Sequence, residues 1–125
     1  MYDRNVRVSH LLMKEISSMI IFGEIKDPRI HNITITKVEV SKDLSNAKVY
    51  FKVGENINYK EVEKGFKRAS NFIKNTLFKR LSLKKPINLK FFYDNSDKYI
   101  EKIDEIIEKL HEKWFTKKNW RSYKL

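Results

Sequence analysis

The residues with the clearest chemical meaning in this chain are the lysines and arginines of its middle part. Residues 60–93 carry ten basic and two acidic side chains, whereas residues 1–59 carry nine basic and seven acidic ones. On a helix, positions 60, 64, 67 and 68 share one face because of their spacing. A row of cations on one face neutralises phosphates and releases their counterions. The segment therefore predicts a nucleic-acid-binding surface formed by Lys60, Lys64, Lys67, Arg68, Lys74, Lys79, Arg80, Lys84 and Lys85.

A weak point in the same segment predicts a second way of holding phosphate. Ser and Asn compete with the backbone for helical hydrogen bonds, so Ala69-Ser70-Asn71 predicts a kink or short break. Asn also adopts the positive φ that such a kink uses. A half-helix that starts there has free backbone N–H groups, which bind phosphate well. We therefore add Ser70 and Asn71 to the predicted nucleic-acid-binding residues, with Lys67, Arg68 and Lys74 flanking the opening.

The end of the chain combines aromatic and basic side chains, as surfaces that stack on unpaired bases do. Residues 113–125 carry five basic side chains and no acidic one. Trp114 is assigned to the core, whereas RNA contact and simple packing are both open for Trp120 and Tyr123. The possible RNA contacts of the tail are Lys117, Lys118, Trp120 and Arg121.

Residue patterns for catalysis or metal binding are missing from the sequence. There is no cysteine, no glycine-rich phosphate loop and no nucleophile elbow. The histidines, His10, His31 and His111, fall in three different predicted elements without the spacing of metal ligands. Asp27 beside Arg29 fits a turn around a proline better than an acid–base pair. We therefore predict a non-enzymatic protein that uses no metal and no cofactor.

The elements that position the basic residues follow from the period of the apolar residues. Asp3 is the predicted N-cap of the first helix, and Gly23 its predicted stop. Lys37 breaks the strand alternation, which predicts a bulge near Thr36 and Lys37. The predicted elements are a helix from Asp3 to Phe22, a hairpin from Ile33 to Val53, a helical region from Tyr59 to Leu81, a strand from Ile87 to Tyr93 and a last helix from Asp97 to Trp114.

Length and composition bound the class of protein. A chain of 125 residues, 41% of them hydrophobic, is normally one domain with its own core. A hairpin with helices on one face predicts an α+β fold. The net charge of +11 indicates a polyanionic partner.

No run is apolar and long enough for a membrane span and no signal-peptide pattern is seen, so we expect a cytoplasmic location. We predict a domain over residues 1–114 and a basic, mobile tail over residues 115–125.

Six strings spread along the chain are specific when taken together. They are Lys26–Arg29, Ile33–Val40, Ser41–Tyr50, Lys79–Leu81, Lys85–Pro86 and Phe92–Asp94. In combination they resemble the ribosome-binding factor A family, small bacterial RNA-binding proteins that assist assembly of the small ribosomal subunit. The likeness extends from about Val6 to Leu110.

This resemblance implies a particular version of the α+β fold. It is a single KH-like domain of type II, in the order helix, strand, strand, helix, kink, helix and strand, with a further C-terminal helix. The sheet has three strands, with the helices packed on one face. Other KH domains clamp RNA with a GxxG loop, which this chain lacks. The family is similar to a KH domain with Ala-x-Gly at the kink, and here that motif reads Ala69-Ser70-Asn71.

The resemblance also implies a function and partners. The expected protein is a monomeric, non-enzymatic assembly factor. It binds the free or immature small (30S) subunit and its 16S rRNA, promotes late maturation and rRNA processing, and leaves before translation. An assembly GTPase of the Era or RsgA type is the expected co-worker. One alternative is a structural or regulatory RNA-binding protein that stays on mature ribosomes. Two further alternatives are an RNA-modifying or RNA-cleaving enzyme and a module that pairs through its last helix.

Overall fold

The structure, a computed structural model, describes residues 3–96. These residues form two helices and three strands joined by loops. Their order and α+β class agree with the predictions. The elements are α1 (Arg4–Ile21), β1 (Ile33–Val40), β2 (Asn46–Val53), α2 (Tyr59–Arg80) and β3 (Asn88–Tyr93). Outside the described residues lie the predicted last helix (Asp97 to Trp114), the boundary at residue 114 and the tail residues Lys117, Lys118, Trp120 and Arg121.

The three strands form one sheet in the order β1, β2, β3. β1 and β2 pair antiparallel, whereas β2 and β3 pair parallel. The register shifts just before Lys37, so Thr36 is the extra residue of a bulge, as the broken alternation predicted. In the turn between β1 and β2, Asp43 Oδ1 accepts hydrogen bonds from the hydroxyls of Ser45 and Ser41, each at 2.7 Å. Those bonds fix the turn and lower the pKa of Asp43 to about 2.

The core lies between the inner face of the sheet and both helices. Val49 and Phe51 of β2 point into it, and Leu12, Ile16 and Phe66 from the two helices are fully buried there. Apolar residues recur three and four positions apart along each helix, which gives each an apolar face to bury. Each such side chain contributes about 1.5–3 kcal/mol when it leaves water. Both helices therefore pack on one face of the sheet, as predicted.

The helix ends agree with the predictions in part. Gly23 follows α1 with φ +65°, a conformation that glycine adopts without steric cost. Asp3 occupies the N-cap position of α1, but its side chain makes no capping hydrogen bond. At α2, the side-chain oxygen of Asn58 accepts the backbone N–H of Lys60 at 3.0 Å. Asn58 thus fixes where α2 begins.

A kink or short break was predicted at Ala69-Ser70-Asn71, and the break is not formed. α2 is a single helix of 22 residues, and Asn71 is not among the non-glycine residues with positive φ. The cause is packing: Phe66 and Ile73, seven residues apart on one face, are both fully buried. Each burial contributes more than the roughly 0.7 kcal/mol that a residue of weak helix propensity costs. No second half-helix starts at this point, so the predicted open N-terminus is not formed.

The connection between α1 and β1 is held by its own residues and lies close against α2. The Asp27 carboxylate accepts the backbone N–H of Arg29 at 2.9 Å and its guanidinium Nε and Nη2 at 3.0 and 2.8 Å. A Cβ on Gly65 of α2 would lie only 3.1 Å from Ile30 Cγ1 and 3.3 Å from Arg29 Cβ. The missing side chain at Gly65 therefore lets α2 approach this connection.

Candidate RNA-binding groove

A groove of about 740 Å³ lies between α2 and β3, an edge strand of the sheet. We call it the α2–β3 groove. Its first wall is helical and carries most of the charge. Its second wall is a strand whose side chains alternate between the core and the surface. The lining side chains are Tyr59, Lys60, Glu63, Lys64, Lys67 and Ser70 from α2, and Leu89, Lys90, Phe91 and Phe92 from β3.

Aromatic stacking sets the distance between the two walls. Phe66 of α2 stacks on Phe91 of β3, with ring centroids 4.3 Å apart and ring planes at 3°. Tyr59, at the start of α2, stacks on Tyr93 with centroids 4.1 Å apart and planes at 19°. Stacked pairs of this kind contribute about 0.5–1.5 kcal/mol beyond the area they bury. They hold α2 alongside β3, so that the neighbouring lysines of the helix face the groove.

The groove is positively charged. Four lysines and one glutamate line it. Lys64 Nζ lies 3.3 Å from Glu61 Oε1, and such an exposed pair contributes little to stability. The ion pairs seen within residues 3–96 do not involve Lys60, Lys67 or Lys90. Their ammonium groups are therefore available to a phosphate backbone.

Ser70 and Lys74 continue the basic wall toward the start of β3. The Ser70 hydroxyl donates to the Lys67 carbonyl oxygen at 2.9 Å, which leaves its own oxygen able to accept. Lys74 Nζ donates to Asn88 Oδ1 at 2.8 Å. An ammonium has three donors, so this bond leaves others for a phosphate. The predicted residues that the structure brings together are Lys60, Lys64, Lys67, Ser70 and, at one end, Lys74.

Arg68 lies apart from the α2–β3 groove, on the side of α2 that faces residues 24–27. It lines a hollow of about 200 Å³ there, together with Ala69 and Phe72. The pKa of Asp27 is lowered to about 2, first by its hydrogen bonds from Arg29 and to a lesser degree by the charge of Arg68. Arg68 thus adds to the electrostatics of the connection rather than to the groove.

Three more of the predicted cations lie beyond the groove. Arg80 pairs with Glu24 through two hydrogen bonds, Nη1 to Oε2 at 2.8 Å and Nη2 to Oε1 at 2.7 Å. These bonds lower the pKa of Glu24 and raise that of Arg80. Arg80 therefore ties the end of α2 to the α1–β1 connection. Lys84 and Lys85 line a separate hollow of about 510 Å³ together with Arg4.

The groove also contains residues that the sequence prediction missed. Lys90, Phe92 and Tyr59 line it, whereas the predicted Lys79 and Asn71 are exposed on α2 and do not. The alternation of side chains along β3 puts Lys90 and Phe92 on the side of the strand that faces away from the core. What the sequence could not show was that the edge of this strand lies against the basic wall of α2.

Two features that would indicate other kinds of protein are not found in residues 3–96. No helix in this part of the chain is long and apolar enough to cross a membrane. Over the same residues, no group of three or more His, Cys, Asp or Glu side chains is placed to hold a metal ion.

Comparison with known proteins gives the family. The profile described as ribosome-binding factor A matches residues 4–107. The chain belongs to the ribosome-binding factor A family. A ribosome-binding factor A from Staphylococcus carnosus is 45% identical over 113 residues, which cover 88% of this chain and 96% of that relative. The resemblance carried by the six sequence strings is confirmed.

Structures of ribosome-binding factor A share the fold of this chain. The crystal structure of the protein from Thermus thermophilus has a TM-score of 0.62 at 22% identity, covering 71% of this chain and 94% of that one. A homology model of the Thermus thermophilus protein, fitted into a cryo-EM map of its 30S complex, has a TM-score of 0.58 at 22% identity. It covers 70% of this chain and 91% of that one. The expected KH-like α+β fold is confirmed.

Proposed function

We propose that this protein is a non-enzymatic assembly factor for the small ribosomal subunit. It binds the free or immature subunit through its 16S rRNA and promotes late maturation and rRNA processing. The observation that carries this proposal is the α2–β3 groove, in which four lysines lie beside β3, an edge strand of the sheet formed by residues 3–96. The proposal is supported by membership of the ribosome-binding factor A family and by the Thermus thermophilus relative, which was fitted into a map of a 30S complex.

The groove acts by binding rather than by chemistry. Lys60, Lys64 and Lys67 bind successive phosphates along the helical wall, with release of counterions. Lys90 adds a cation from the strand wall. A protein that binds one rRNA conformation more tightly than another shifts the equilibrium toward the first. The factor thereby favours the mature arrangement of the rRNA without forming or breaking a bond.

The remaining parts of the proposal concern partners and place. The factor acts as a monomer in the cytoplasm and leaves the subunit before translation. An assembly GTPase of the Era or RsgA type works with it or releases it, as the resemblance to the family implies.

Co-sedimentation tests the proposal directly. The full chain is mixed with purified small subunits, large subunits and assembled ribosomes over a series of salt concentrations. We expect retention on free small subunits that persists at salt concentrations where the other two particles have lost the protein. Retention on assembled ribosomes equal to that on free small subunits favours a resident ribosomal protein instead. Equal and equally salt-sensitive retention on all three particles contradicts the proposal.

A further inference from the structure

The face of the sheet opposite the helices carries two neighbouring aromatic side chains among lysines, one exposed and one half-buried. Tyr50 of β2 and Phe92 of β3 are register partners, with ring centroids 5.7 Å apart and planes at 32°. Phe92 is 39% exposed, which is unusual for a phenylalanine in a strand. We call this surface the outer sheet face and define it by Lys37, Glu39, Lys48, Tyr50, Lys90 and Phe92.

The strand register arranges these side chains in two rows across the sheet. The first row runs from Lys37 through Tyr50 to Phe92, and Lys37 Nζ lies 5.9 Å from the centre of the Tyr50 ring. In the second row, Lys48 and Lys90 are register partners on neighbouring strands. The two rings of the first row thus lie beside the two lysines of the second row.

The charges of the outer sheet face are positive on balance. Glu39 is its one acidic member, and Glu39 Oε1 lies 2.6 Å from Lys37 Nζ. That ion pair leaves Lys48 and Lys90, which are exposed and take no part in the ion pairs seen within residues 3–96. An exposed and a half-buried ring with two adjacent cations are complementary to a nucleic acid strand, which offers flat bases and a phosphate backbone.

We propose that the outer sheet face is a second binding site, for single-stranded RNA, in which unpaired bases stack on Tyr50 and Phe92 while Lys48 and Lys90 hold the backbone. Duplex RNA does not fit this chemistry, because its bases are already stacked on one another. The inference rests on the proposed function only in that both concern RNA.

The outer sheet face is continuous with the α2–β3 groove. Lys90 and Phe92 line the groove and also belong to the outer sheet face. β3 is an edge strand, so no further strand of the described sheet separates the two surfaces. A single strand of RNA can therefore pass from the groove across β3 onto the rings. Tyr50 belongs to the outer sheet face but not to the groove lining, and so distinguishes the two sites.

Binding of the full chain to two labelled strands, followed by fluorescence anisotropy, tests the proposal. One strand is an oligouridylate of about twelve nucleotides, a length within the range that single-strand-binding modules cover. The other has the same backbone with abasic sites in place of bases. We expect Tyr50→Leu and Phe92→Leu each to weaken oligouridylate binding by roughly tenfold, the loss of about one base stack. Binding of the abasic strand and the salt dependence should stay as in the native protein.

Phe72→Leu is the matched control, because Phe72 is an exposed ring on α2 that lies outside this surface. It should bind both strands as the native protein does. Leucine keeps each position apolar, and thermal unfolding establishes that the variants are folded. Native-like oligouridylate binding by Tyr50→Leu overturns the proposal, as does an equal loss of binding to both strands.

The same measurements separate this proposal from the proposed function. If the native protein shows no preference for small subunits in co-sedimentation, the proposed function fails while the comparison of oligouridylate with abasic strand keeps its meaning. If small subunits are preferred but Tyr50→Leu binds oligouridylate normally, the proposed function stands and the second site is rejected.

Discussion

Asp27 accepts three hydrogen bonds from Arg29, two residues further along the chain, and both residues lie directly over Gly65 of α2. Backbone and guanidinium donors of one residue thus close a short loop around a buried carboxylate. The loop covers the middle of the helix that carries the groove lysines. The position of α2 therefore depends on a connection that itself contributes nothing to the groove lining.

The Asp27–Arg29 pair makes stability depend on acid pH. The folded-state pKa of Asp27 is about 2, below the ordinary 3.8, mainly because of the hydrogen bonds from Arg29. A depressed pKa means that this stabilisation is fully present above about pH 4 and is lost as the pH falls toward 2. We expect Asp27→Asn to lower the thermal unfolding midpoint at pH 7 and to make stability decline less between pH 4 and pH 2. Circular dichroism melts over this pH range measure both effects.

Glu55→Gln is the control for that experiment, because Glu55 is an exposed carboxylate in the loop after β2. It should change neither the midpoint at pH 7 nor the acid decline. Asp43, whose pKa is also lowered to about 2, keeps its share of the decline in every variant. A melting profile of Asp27→Asn that parallels the native one at every pH contradicts the prediction.

Gly65 should tolerate no side chain larger than a methyl group. We expect Gly65→Val to destabilise the protein by about 1–3 kcal/mol, the usual result of overfilling a packed site. Gly65→Ala should change stability by less than about 1 kcal/mol, because the gain in helix propensity offsets the 3.1 Å contact with Ile30. Urea unfolding measures both, with Lys79→Val on the exposed face of α2 as the control for a β-branched residue in a helix. Equal effects of Gly65→Val and Lys79→Val would show that the contact is unimportant.

The groove lysines should set the salt dependence of RNA binding. We expect a triple variant, Lys60→Gln, Lys64→Gln and Lys67→Gln, to weaken binding to small-subunit RNA. It should also reduce the slope of log affinity against log salt by about 2, because each phosphate of a single strand that is no longer neutralised removes roughly 0.7 from the slope. The affinity is measured by filter binding over a salt series.

A second triple variant carries the same change in net charge on the exposed lysines Lys14, Lys26 and Lys42. It should keep most of the affinity and nearly the native slope. Equal losses in the two triple variants would mean that overall charge, rather than the groove, governs binding.

Asn71 should behave as an ordinary exposed position inside a helix. We expect Asn71→Ala to stabilise the protein by about 0.5 kcal/mol and Asn71→Gly to destabilise it by a few tenths of a kcal/mol, following helix propensity. A kink with positive φ at this position predicts the opposite order, since only glycine adopts that conformation freely. Urea unfolding of both variants decides between a continuous helix and a kinked one.

Phe66 should be the most sensitive aromatic residue of α2. It is fully buried between Phe91, with ring centroids 4.3 Å apart, and Phe51, with centroids 5.2 Å apart. We expect Phe66→Ala to cost about 3–5 kcal/mol, because it removes a large core side chain. Phe72→Ala, on the same helix but 50% exposed, should cost less than about 1 kcal/mol. Similar denaturation midpoints for the two variants would contradict this assignment of the core.

Local pattern was enough to predict the helices and strands of residues 3–96. The bulge at Thr36 was predictable because one inserted residue shifts the alternation that a half-buried strand must keep. The continuity of α2 through Asn71 was not, because it depends on the burial of Phe66 and Ile73 against a sheet formed by other parts of the chain. Weak local preference was overridden by tertiary packing at this point.

The sequence alone also could not show which basic residues line the groove and which lie elsewhere. Spacing along α2 shows which lysines share a face but not what that face meets. Arg80 pairs with Glu24, which is 56 residues away in the chain. Lys90 joins the groove only because β3 lies beside α2. The sequence thus indicated the chemistry of the surface, whereas its division into a groove, an ion pair and separate hollows depends on long-range packing.

The parallel pairing of β3 with β2 bears on how the groove comes into being. Asn88 pairs with Asn46, 42 residues earlier, and the crossover between the two strands contains α2 itself. The edge strand can join the sheet only after that long loop has closed, which is an entropically unfavourable and slow step. Opening of β3 alone removes one whole wall of the groove while leaving the hairpin paired. If RNA binds in the groove as proposed, it favours the paired state of β3, and we expect hydrogen exchange of the β3 backbone amides to slow when RNA is added.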